Sequence, residues 1–504
     1  MAIVSGQFLH DAHGFVIDRI QTGGVSNLNI PEEKIYELGN YRTVATVRDI
    51  PDLSFELESL DMSTEIESLL LSRDPTAVSP GDEFDFLDSV PMDVISPFKA
   101  AKGLYNIVKG VIVPYLTLEN ATYRFGNRQN ATQSFTLRGD AVYYIPGTPY
   151  YEEFSGDGAT SVFAFGHTAI PYSESGDTIH ALSVCVVKAD GTYRRLFYGS
   201  EYTDTTTNFT LSDPTDAPVG SKIRVVYGST TAATYPQTVH QNVSVKPAAV
   251  RGKDIDVYIG TPIANEVQTV TLTGATGGTF TLSYSSQTTS ALAYNASASA
   301  VQTALEGLSN LAPGDVAVSG SPGGPYTITF GGTLTGVDAA TIVADASSLT
   351  GGGTPSIAVA TSTGGGSTFS RWSGVQSFEA TRRVNLDKDE EFGNKHYVSQ
   401  DYDTAEVSGS IVVRSRDVED LFAKIHQVTN VSTSEVVGAH SAVALPIEIR
   451  IHNPDDGTLV KTLYIPDARF TVPGLQGRVQ QKLETTFAWS SDGGTLLVYE
   501  GARP

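Results

Sequence analysis

Apolar and polar residues alternate in short stretches along most of the chain, and a period of two predicts β-strands with one buried face. Three clear stretches are QSFTLRGD (133–140), SKIRVVYG (221–228) and ALPIEIRIH (444–452). Gly, Pro, Asn and Asp residues separate such stretches, which is typical of turns between strands. The pattern therefore predicts a mainly β fold of the α+β class.

Two short segments follow a helical pattern instead. STEIESLL (63–70) and SRDVEDLF (415–422) both begin with Ser, carry acidic residues in the first turn, and place apolar residues at i, i+3 and i+4. This spacing gives one apolar stripe, which suits a short helix that lies on a sheet. Ser63 and Ser415 are the expected N-caps. The residues expected to pack on the sheet are Ile66, Leu69 and Leu70 in the first helix and Val418, Leu421 and Phe422 in the second.

The two helical segments belong to a longer repeat, in which both copies have the order strand, long acidic loop, strand, short helix, hairpin, strand, strand. This shared order predicts an internal duplication, with each half a sheet or half-open barrel that has one packed helix. The alternative is that two α+β domains merely share common strand and turn chemistry. The matched stretches are GVSNLNI (24–30) with GVQSFEA (374–380), ELGN (37–40) with EFGN (391–394), LENATYRF (118–125) with IPDARFTV (465–472), and QSFTLRGD with TTFAWSSD (485–492), which aligns Phe135 with Phe487 and Leu137 with Trp489.

Composition divides the chain further. No Lys or Arg occurs from Asp254 to Ser370, although the chain has 33 of them. This segment contains short strand patterns with Gly turns and one helical pattern, NASASAVQTALEGLS, for which Asn295 is the expected N-cap. The domains we expect are a first duplicated domain at 1–148, an inserted β-rich domain at 150–230, a second duplicated domain made of 232–265 and 367–504, and an inserted α+β domain at 266–366.

Charge and composition limit the function classes. The 504 residues carry a formal net charge of −23, which argues against nucleic-acid binding but suits a surface that DNA passes without adhering. Cys185 is the single cysteine, so no intrachain disulfide can form. The first residues show neither a basic nor an apolar segment, and no apolar run approaches 18 residues, so we expect neither a signal peptide nor a membrane span.

Patterns typical of enzymes and metal sites are missing from the sequence. The nine His are scattered, and there is no H-E-x-x-H, G-x-S-x-G or P-loop pattern. DKDEEFGN (387–394) departs from a calcium loop because Gly393 falls at the seventh position instead of the sixth. We therefore expect no catalytic residues, no metal and no cofactor.

A sheet with one packed helix and a long loop between early strands resembles the tail tube protein of long-tailed, non-contractile bacteriophages. In that family six copies of the fold close into a ring around a lumen, and rings stack through the long loop and the chain termini. A chain with two fused copies is similar to the variant whose rings are trimers with pseudo-sixfold symmetry. The segment at 266–366 also looks like a decoration module that recurs in tail proteins of phages of actinobacteria.

The resemblance implies roles for particular segments and partners. The loops 31–48 and 385–403 would stack the rings, and the two inserts would project outward as decorations of the virion. The partners would be other copies of the chain and the tape measure, tail terminator and tail tip proteins, with DNA passing through the lumen during genome ejection. The chain would be assembled in the host cytoplasm and reside in the virion tail. The candidate stacking residues are Glu37, Asn40, Tyr41, Asp387, Glu391 and Asn394.

Two other functions stay open at this point. A multidomain carbohydrate-binding adhesin would explain the β-rich modules, although it should carry a signal peptide and would not explain the repeated helix. A hydrolase would need a coherent set of catalytic residues, which the sequence does not show.

Overall fold

The chain folds mostly into β-strands. The computed structural model of the protein describes residues 10–12, 15–17, 20–30, 32–35, 45–48, 50–99, 107–174, 177–189, 193–231, 249–261, 264–367, 369–389, 396–397, 399–414, 443–471 and 484–504. Within these residues many antiparallel strands accompany two α-helices. The prediction of a mainly β fold is confirmed.

The chain divides into two compact units. The larger unit comprises Met1–Val257, Trp372–Phe422 and Glu448–Pro504, and the smaller unit comprises Tyr258–Arg371 and Ala423–Ile447. The larger unit therefore contains most of the predicted repeat, and the smaller one contains the segment without Lys or Arg.

The first half of the larger unit is built around four antiparallel strands in the spatial order β3, β6, β10, β9. Strands β8 and β11 also pair with β9. Short 3₁₀ turns at Pro75–Ala77 and Phe86–Asp88 connect elements after the helix. The elements are β1 (His10–Ala12), β2 (Phe15–Ile17), β3 (Ile20–Asn29), β4 (Glu32–Ile35), β5 (Ala45–Arg48), β6 (Asp52–Ser59), α1 (Glu65–Leu70), β7 (Glu83–Asp85), β8 (Met92–Lys99), β9 (Ile107–Gly126), β10 (Thr132–Gly139) and β11 (Tyr143–Pro146).

A second set of small sheets follows in the larger unit, at 148–231. Four of its strands pair in the order β12, β20, β16, β17, and three in the order β13, β19, β18. Phe163 and Phe209 stack between them with ring centroids 5.1 Å apart. The strands are β12 (Thr148–Ser155), β13 (Val162–Ala164), β14 (Tyr172–Glu174), β15 (Asp177–Ile179), β16 (Ala181–Val187), β17 (Tyr193–Arg195), β18 (Tyr202–Asp204), β19 (Asn208–Leu211) and β20 (Lys222–Ser229).

The smaller unit has its own core, in which Val301 and Leu305 of the helix α2 are fully buried. The predicted N-cap Asn295 is wrong: the helix begins two residues later, and the Ser297 hydroxyl accepts a hydrogen bond from the Ala300 N–H at 3.2 Å. The strand β21 (Ile255–Gly260) spans the chain boundary between the two units, and the other elements are β22 (Val267–Thr273), β23 (Gly277–Tyr284), β24 (Gln287–Thr288), β25 (Leu292–Ala293), α2 (Ala298–Glu306), β26 (Val316–Gly320), β27 (Tyr326–Phe330), β28 (Val343–Asp345), β29 (Leu349–Thr350), β30 (Ser356–Thr363) and β31 (Phe369–Arg371).

The second half of the larger unit has the same strand order as the first. Strands pair antiparallel in the order β32, β33, β36, β35, and β37 pairs with β35 as β11 pairs with β9. The two orders match strand for strand along the chain. The last strands are β32 (Val375–Asp389), β33 (Ser399–Arg414), β34 (Ala444–His452), β35 (Leu459–Phe470), β36 (Glu484–Ser491) and β37 (Leu497–Glu500).

When β10 and β36 are aligned as in the sequence match, the register of β9 and β35 differs from that match. Leu137 pairs with Leu118, and its matched residue Trp489 pairs with Phe470. Leu118 therefore corresponds to Phe470, not to Ile465 as the aligned stretches suggest.

The same shift affects β3 and β32. Val25 lies opposite Phe55, whereas the residue at the place of Phe55 in the second half is Gly409, which lies opposite Ala380. Val25 thus corresponds to Ala380 and not to Val375. The first-half strand has no regularly buried positions that could fix its alignment, so the sequence match slipped by five residues.

The helix α1 lies where the sequence places it, but its start differs. The N-cap residue is Thr64 and not Ser63, whose hydroxyl instead donates to Asp61 Oδ2 at 2.9 Å. The Asp61 side chain also accepts the backbone N–H of Ser63 at 3.2 Å, which accounts for the change. The second helical segment, 415–422 with Ser415, lies outside the described residues.

The segments expected to be long acidic loops are partly β-hairpins. In the first half, β4 and β5 pair from Glu32–Arg48 to Ile35–Ala45. In the second, β32 and β33 continue to pair as far as Asp389–Ser399. An antiparallel pair satisfies backbone groups that a loop would leave to water, and both halves use it between their first two sheet strands.

Candidate functional site: one sheet shared by both halves

A junction between β9 and β32 joins the two halves into a single sheet. The register runs from Gly126–Ser377 to Asn120–Arg383. At its centre the Thr122 and Thr381 hydroxyl oxygens are 3.1 Å apart. The described strands therefore form one run of eight, in the order β3, β6, β10, β9, β32, β33, β36, β35, which does not close on itself within the chain.

One face of this sheet is apolar and buried on both sides of the junction. Phe125 stacks on Phe378 with centroids 6.4 Å apart, and Phe378 stacks on Trp489 at 5.8 Å. The alternation of the strands thus runs in phase from one half to the other. Other fully buried residues on this face are Phe55, Leu57, Phe135, Leu137, Tyr123, Ile411 and Phe487.

The helix α1 covers part of the buried face and is itself buried along its whole length. The three residues expected to pack on the sheet, Ile66, Leu69 and Leu70, are at most 2% exposed. Their second-half counterparts Val418, Leu421 and Phe422 lie outside the described residues.

A buried ion pair ties this first-half helix to a second-half strand. Lys461 Nζ donates to Glu67 Oε1 at 2.6 Å, and neither side chain has any exposed surface. Lys461 also donates to Gln133 Oε1 at 2.9 Å, and the Tyr123 hydroxyl donates to Glu67 Oε1 at 2.6 Å. Burial and the neighbouring carboxylate of Glu67 raise the pKa of Tyr123 well above its ordinary value, so its proton stays in place.

The opposite face of the sheet is polar. A straight row of hydroxyl side chains crosses five strands on it, because each member is the register partner of the next. The row consists of Ser134, Thr122, Thr381, Ser408 and Ser490. Short hydroxyl side chains at the middle of the sheet leave a surface with few projecting groups.

Charged residues flank the hydroxyl row, and arginines lie beside carboxylates. Across the junction Arg124 Nε is 3.4 Å from Glu379 Oε2. Within the first half Arg138 donates twice to Glu119, from Nε at 2.9 Å and from Nη2 at 3.2 Å. In the second half Arg469 Nε is within 3.1 Å of both oxygens of Asp492.

The strand β3 is the open edge of this sheet. Among the described residues it pairs with β6 alone. Val25 and Leu28 on this strand are 40% and 48% exposed, and Ile30 just after it is 43% exposed. A strand edge with exposed apolar residues is a surface that another strand can extend.

The segment 148–231 is attached to the first half by a small apolar cluster and by ion pairs. The cluster joins Ile95, Ile112 and Ile145 to Leu182 and Val226.

The ion pairs of this attachment meet at Asp140. Burial alone would raise the pKa of Asp140, but Arg195 at 3.1 Å and His396 at 3.1 Å, with the Tyr397 N–H at 3.0 Å, hold that pKa below its ordinary value. His396 and Tyr397 belong to the second candidate stacking segment, so the base of that segment is fixed to the first half.

Of the candidate stacking residues, the structure describes Asp387 alone. It is exposed on β32, opposite Asp401, and the next residue Lys388 donates to Asp52 Oδ1 at 2.7 Å. The others, Glu37, Asn40, Tyr41, Glu391 and Asn394, lie outside the described residues. The Glu67–Lys461 pair was not predicted, because Glu67 lies among other polar residues in STEIESLL and the single charge in LVKTLYI (459–465) does not indicate its partner.

The described residues contain no group of three metal-binding side chains and no helix that is long and apolar enough to cross a membrane.

No protein-family model matches the chain. One segment is similar to a protein named tail sheath protein from Mycobacterium phage Bxz1, with 39% identity over 85 residues. The match covers 17% of this chain and 14% of that protein, so the chain spans only a small part of its relative.

Proposed function

We propose that the protein is a structural component of a phage tail and, more specifically, a tail tube subunit whose two halves form adjacent segments of the tube wall. The similarity to a phage tail protein supports the first statement. The repeated strand order and the shared sheet support the second. The proposed location is the virion tail, and we propose no enzymatic activity.

The observation that carries this proposal is the junction between β9 and β32. In the spatial order of the sheet, it joins the final strand of the first half, β9, to the opening strand of the equivalent second half, β32. The first strand of the first half, β3, has no such neighbour among the described residues. We propose that β35, the second-half counterpart of β9, pairs with β3 of the next copy. Three chains would then supply the six wall segments of a ring.

The polar face of the sheet would line the lumen. The short side chains of its hydroxyl row would offer few contacts to a polymer that moves along the surface, and the net negative charge of the chain would repel phosphate groups. The proposed partners are further copies of this chain, with the tape measure, terminator and tail tip proteins at defined places in the tail. DNA would be transported without specific binding.

The first test is electron microscopy of the purified protein together with an edge variant. Leu28→Lys places a charge on the open edge, where it would be buried between copies, and we expect loss of rings or tubes while the chain stays folded. Leu87→Lys is the matched control, because Leu87 is 51% exposed but lies in a 3₁₀ turn away from the sheet edge. Assembly of Leu28→Lys at the wild-type concentration would contradict the proposal.

A tail sheath subunit is the second candidate, and the name of the similar phage protein favours it. The two candidates differ in what the chain needs for assembly. A tube subunit should form hollow assemblies by itself or on a tail tip, whereas a sheath subunit should assemble around a separately supplied tube. Mixing the protein with preformed tubes and imaging the diameter distinguishes them.

A further inference from the structure

The polar face carries five arginines on its described strands, each beside an acidic residue. Three ion pairs were given above: Arg124 with Glu379, Arg138 with Glu119, and Arg469 with Asp492. The remaining two arginines have acidic register partners on the neighbouring strand, Arg383 with Glu406 and Arg414 with Glu484. Three of the five arginines therefore form ion pairs, and the other two have an acidic residue at the register position on the neighbouring strand.

Two further acids of the same face differ in this respect. Glu56 and Glu58 lie on β6, opposite Thr136 and Ser134, and the described residues give neither of them a basic partner. Their presence means that the acids outnumber the arginines on this face. The arginines of this face are thus a minority among acids, and three of the five are neutralised by ion pairs.

A guanidinium group binds phosphate with the same paired donors that it offers to a carboxylate. Arg124 is 56% exposed, so without Glu379 it would be accessible to a polyanion. Arg138 is held by two hydrogen bonds from Glu119, and Asp52 Oδ2 lies 3.7 Å from its Nη1. An ion pair at the surface is weak in free energy. Glu119 nevertheless occupies two donors of Arg138, and Glu379 offsets the charge of Arg124 from 3.4 Å.

We propose that Glu119 and Glu379 mask Arg138 and Arg124, and that this masking, beyond the net negative charge, keeps the polar face from binding DNA. The role of this masking inside a tube rests on the proposed function, whereas the masking of the two arginines can be tested on the chain alone. These two arginines balance acids on neighbouring strands, and each has a carboxylate that competes with phosphate for its guanidinium group.

The test compares two double variants of the full chain that raise the net charge of −23 by the same two units. Glu119→Gln with Glu379→Gln exposes two arginines, and Glu56→Gln with Glu58→Gln removes two acids that mask nothing. The probe is duplex DNA of about 25 base pairs in a fluorescence anisotropy titration at about 50 mM and 150 mM salt. Circular dichroism and light scattering record folding and oligomeric state in parallel.

We expect the unmasked variant to bind DNA at least about tenfold more tightly than the Glu56/Glu58 control, with a log–log salt slope steeper by about two. Adding Arg124→Gln and Arg138→Gln should abolish this binding. Equal affinities of the two double variants, or no binding by either, would overturn the proposal. If the double variant does not fold, DNA binding by the single variant Glu379→Gln is compared with that by Glu58→Gln, and equal affinities of these two would overturn the proposal. Ring formation is measured separately by microscopy, so the DNA-binding comparison can still be interpreted if the tube proposal fails.

Discussion

The first strands of the two halves occupy the same place in the strand order but differ in burial. In β32 alternate residues are buried, from Phe378 to Val384, because β33 and β9 flank it on both edges. In β3 no residue is fully buried, and Val25 and Leu28 are strongly exposed. The difference shows how much burial the junction adds to β32. Among the described residues, β3 has no neighbour equivalent to the strand β9 that flanks β32.

The cores of the halves also exchange large and small residues at matching positions. In the first half Phe55 lies opposite Leu137, whereas in the second Gly409 lies opposite Trp489. The sum of the two side-chain sizes is roughly conserved, which is how packed cores tolerate substitution. The halves therefore share a topology while their interiors have diverged residue by residue.

The largest expected loss of folding stability comes from breaking the buried ion pair that connects the two halves. Lys461→Met leaves Glu67 buried without its counter-charge, and we expect a loss of about 3–5 kcal/mol in the free energy of unfolding. Urea unfolding followed by circular dichroism measures it. The double variant Glu67→Gln with Lys461→Met should cost clearly less than the sum of the single changes. Additive losses would mean that the pair does not couple the halves.

A smaller loss is expected where the halves differ in packing. A Cβ on Gly409 would lie 1.9 Å from the Glu379 carbonyl oxygen and 2.5 Å from the Trp489 ring, so Gly409→Ala should cost about 1–3 kcal/mol. Trp489→Leu relieves the ring contact but not the carbonyl contact, so it should rescue Gly409→Ala only in part. Thermal unfolding of the single and double variants tests this, and full rescue would assign the constraint to the ring alone.

The smallest expected effect lies at the junction itself. Thr381→Val removes the hydroxyl that contacts Thr122 and should cost at most about 1 kcal/mol, the typical net value of one hydrogen bond. Ser408→Ala is the comparison, since Ser408 belongs to the same hydroxyl row outside the junction. Equal changes in the unfolding midpoint for both variants would show that the Thr122–Thr381 contact adds nothing specific.

Sequence patterns predicted the strand order of the repeat but not its register. The match of Phe135 with Phe487 is the reference for that register, and both residues lie in strands with strict alternation and a buried face. Val25 was matched wrongly because β3 has no buried face to impose a period. The positions of α1 and α2 were predictable, whereas their caps were decided by neighbouring side chains: Asp61 binds Ser63, and Ser297 replaces Asn295.

The charged contacts could not be predicted from the sequence. Glu67 and Lys461 are 394 positions apart, and no pattern indicates which of the many acids a given lysine meets. The arginine–glutamate pairs of the polar face likewise depend on strand register, which the sequence match missed by five residues. Strand order can be read from local periodicity, but contacts between side chains on different strands require the alignment of those strands.

The covalent connection between the halves has a consequence for the kinetics of assembly under the proposed function. The β9–β32 junction forms when the chain folds, so it requires no encounter between molecules. Joining a separate subunit costs about 4–15 kcal/mol in translational and rotational freedom, and fusion removes that cost for every second contact around a ring. A ring of three bodies also passes through fewer incomplete intermediates than a ring of six. Duplication would therefore make ring closure less dependent on protein concentration.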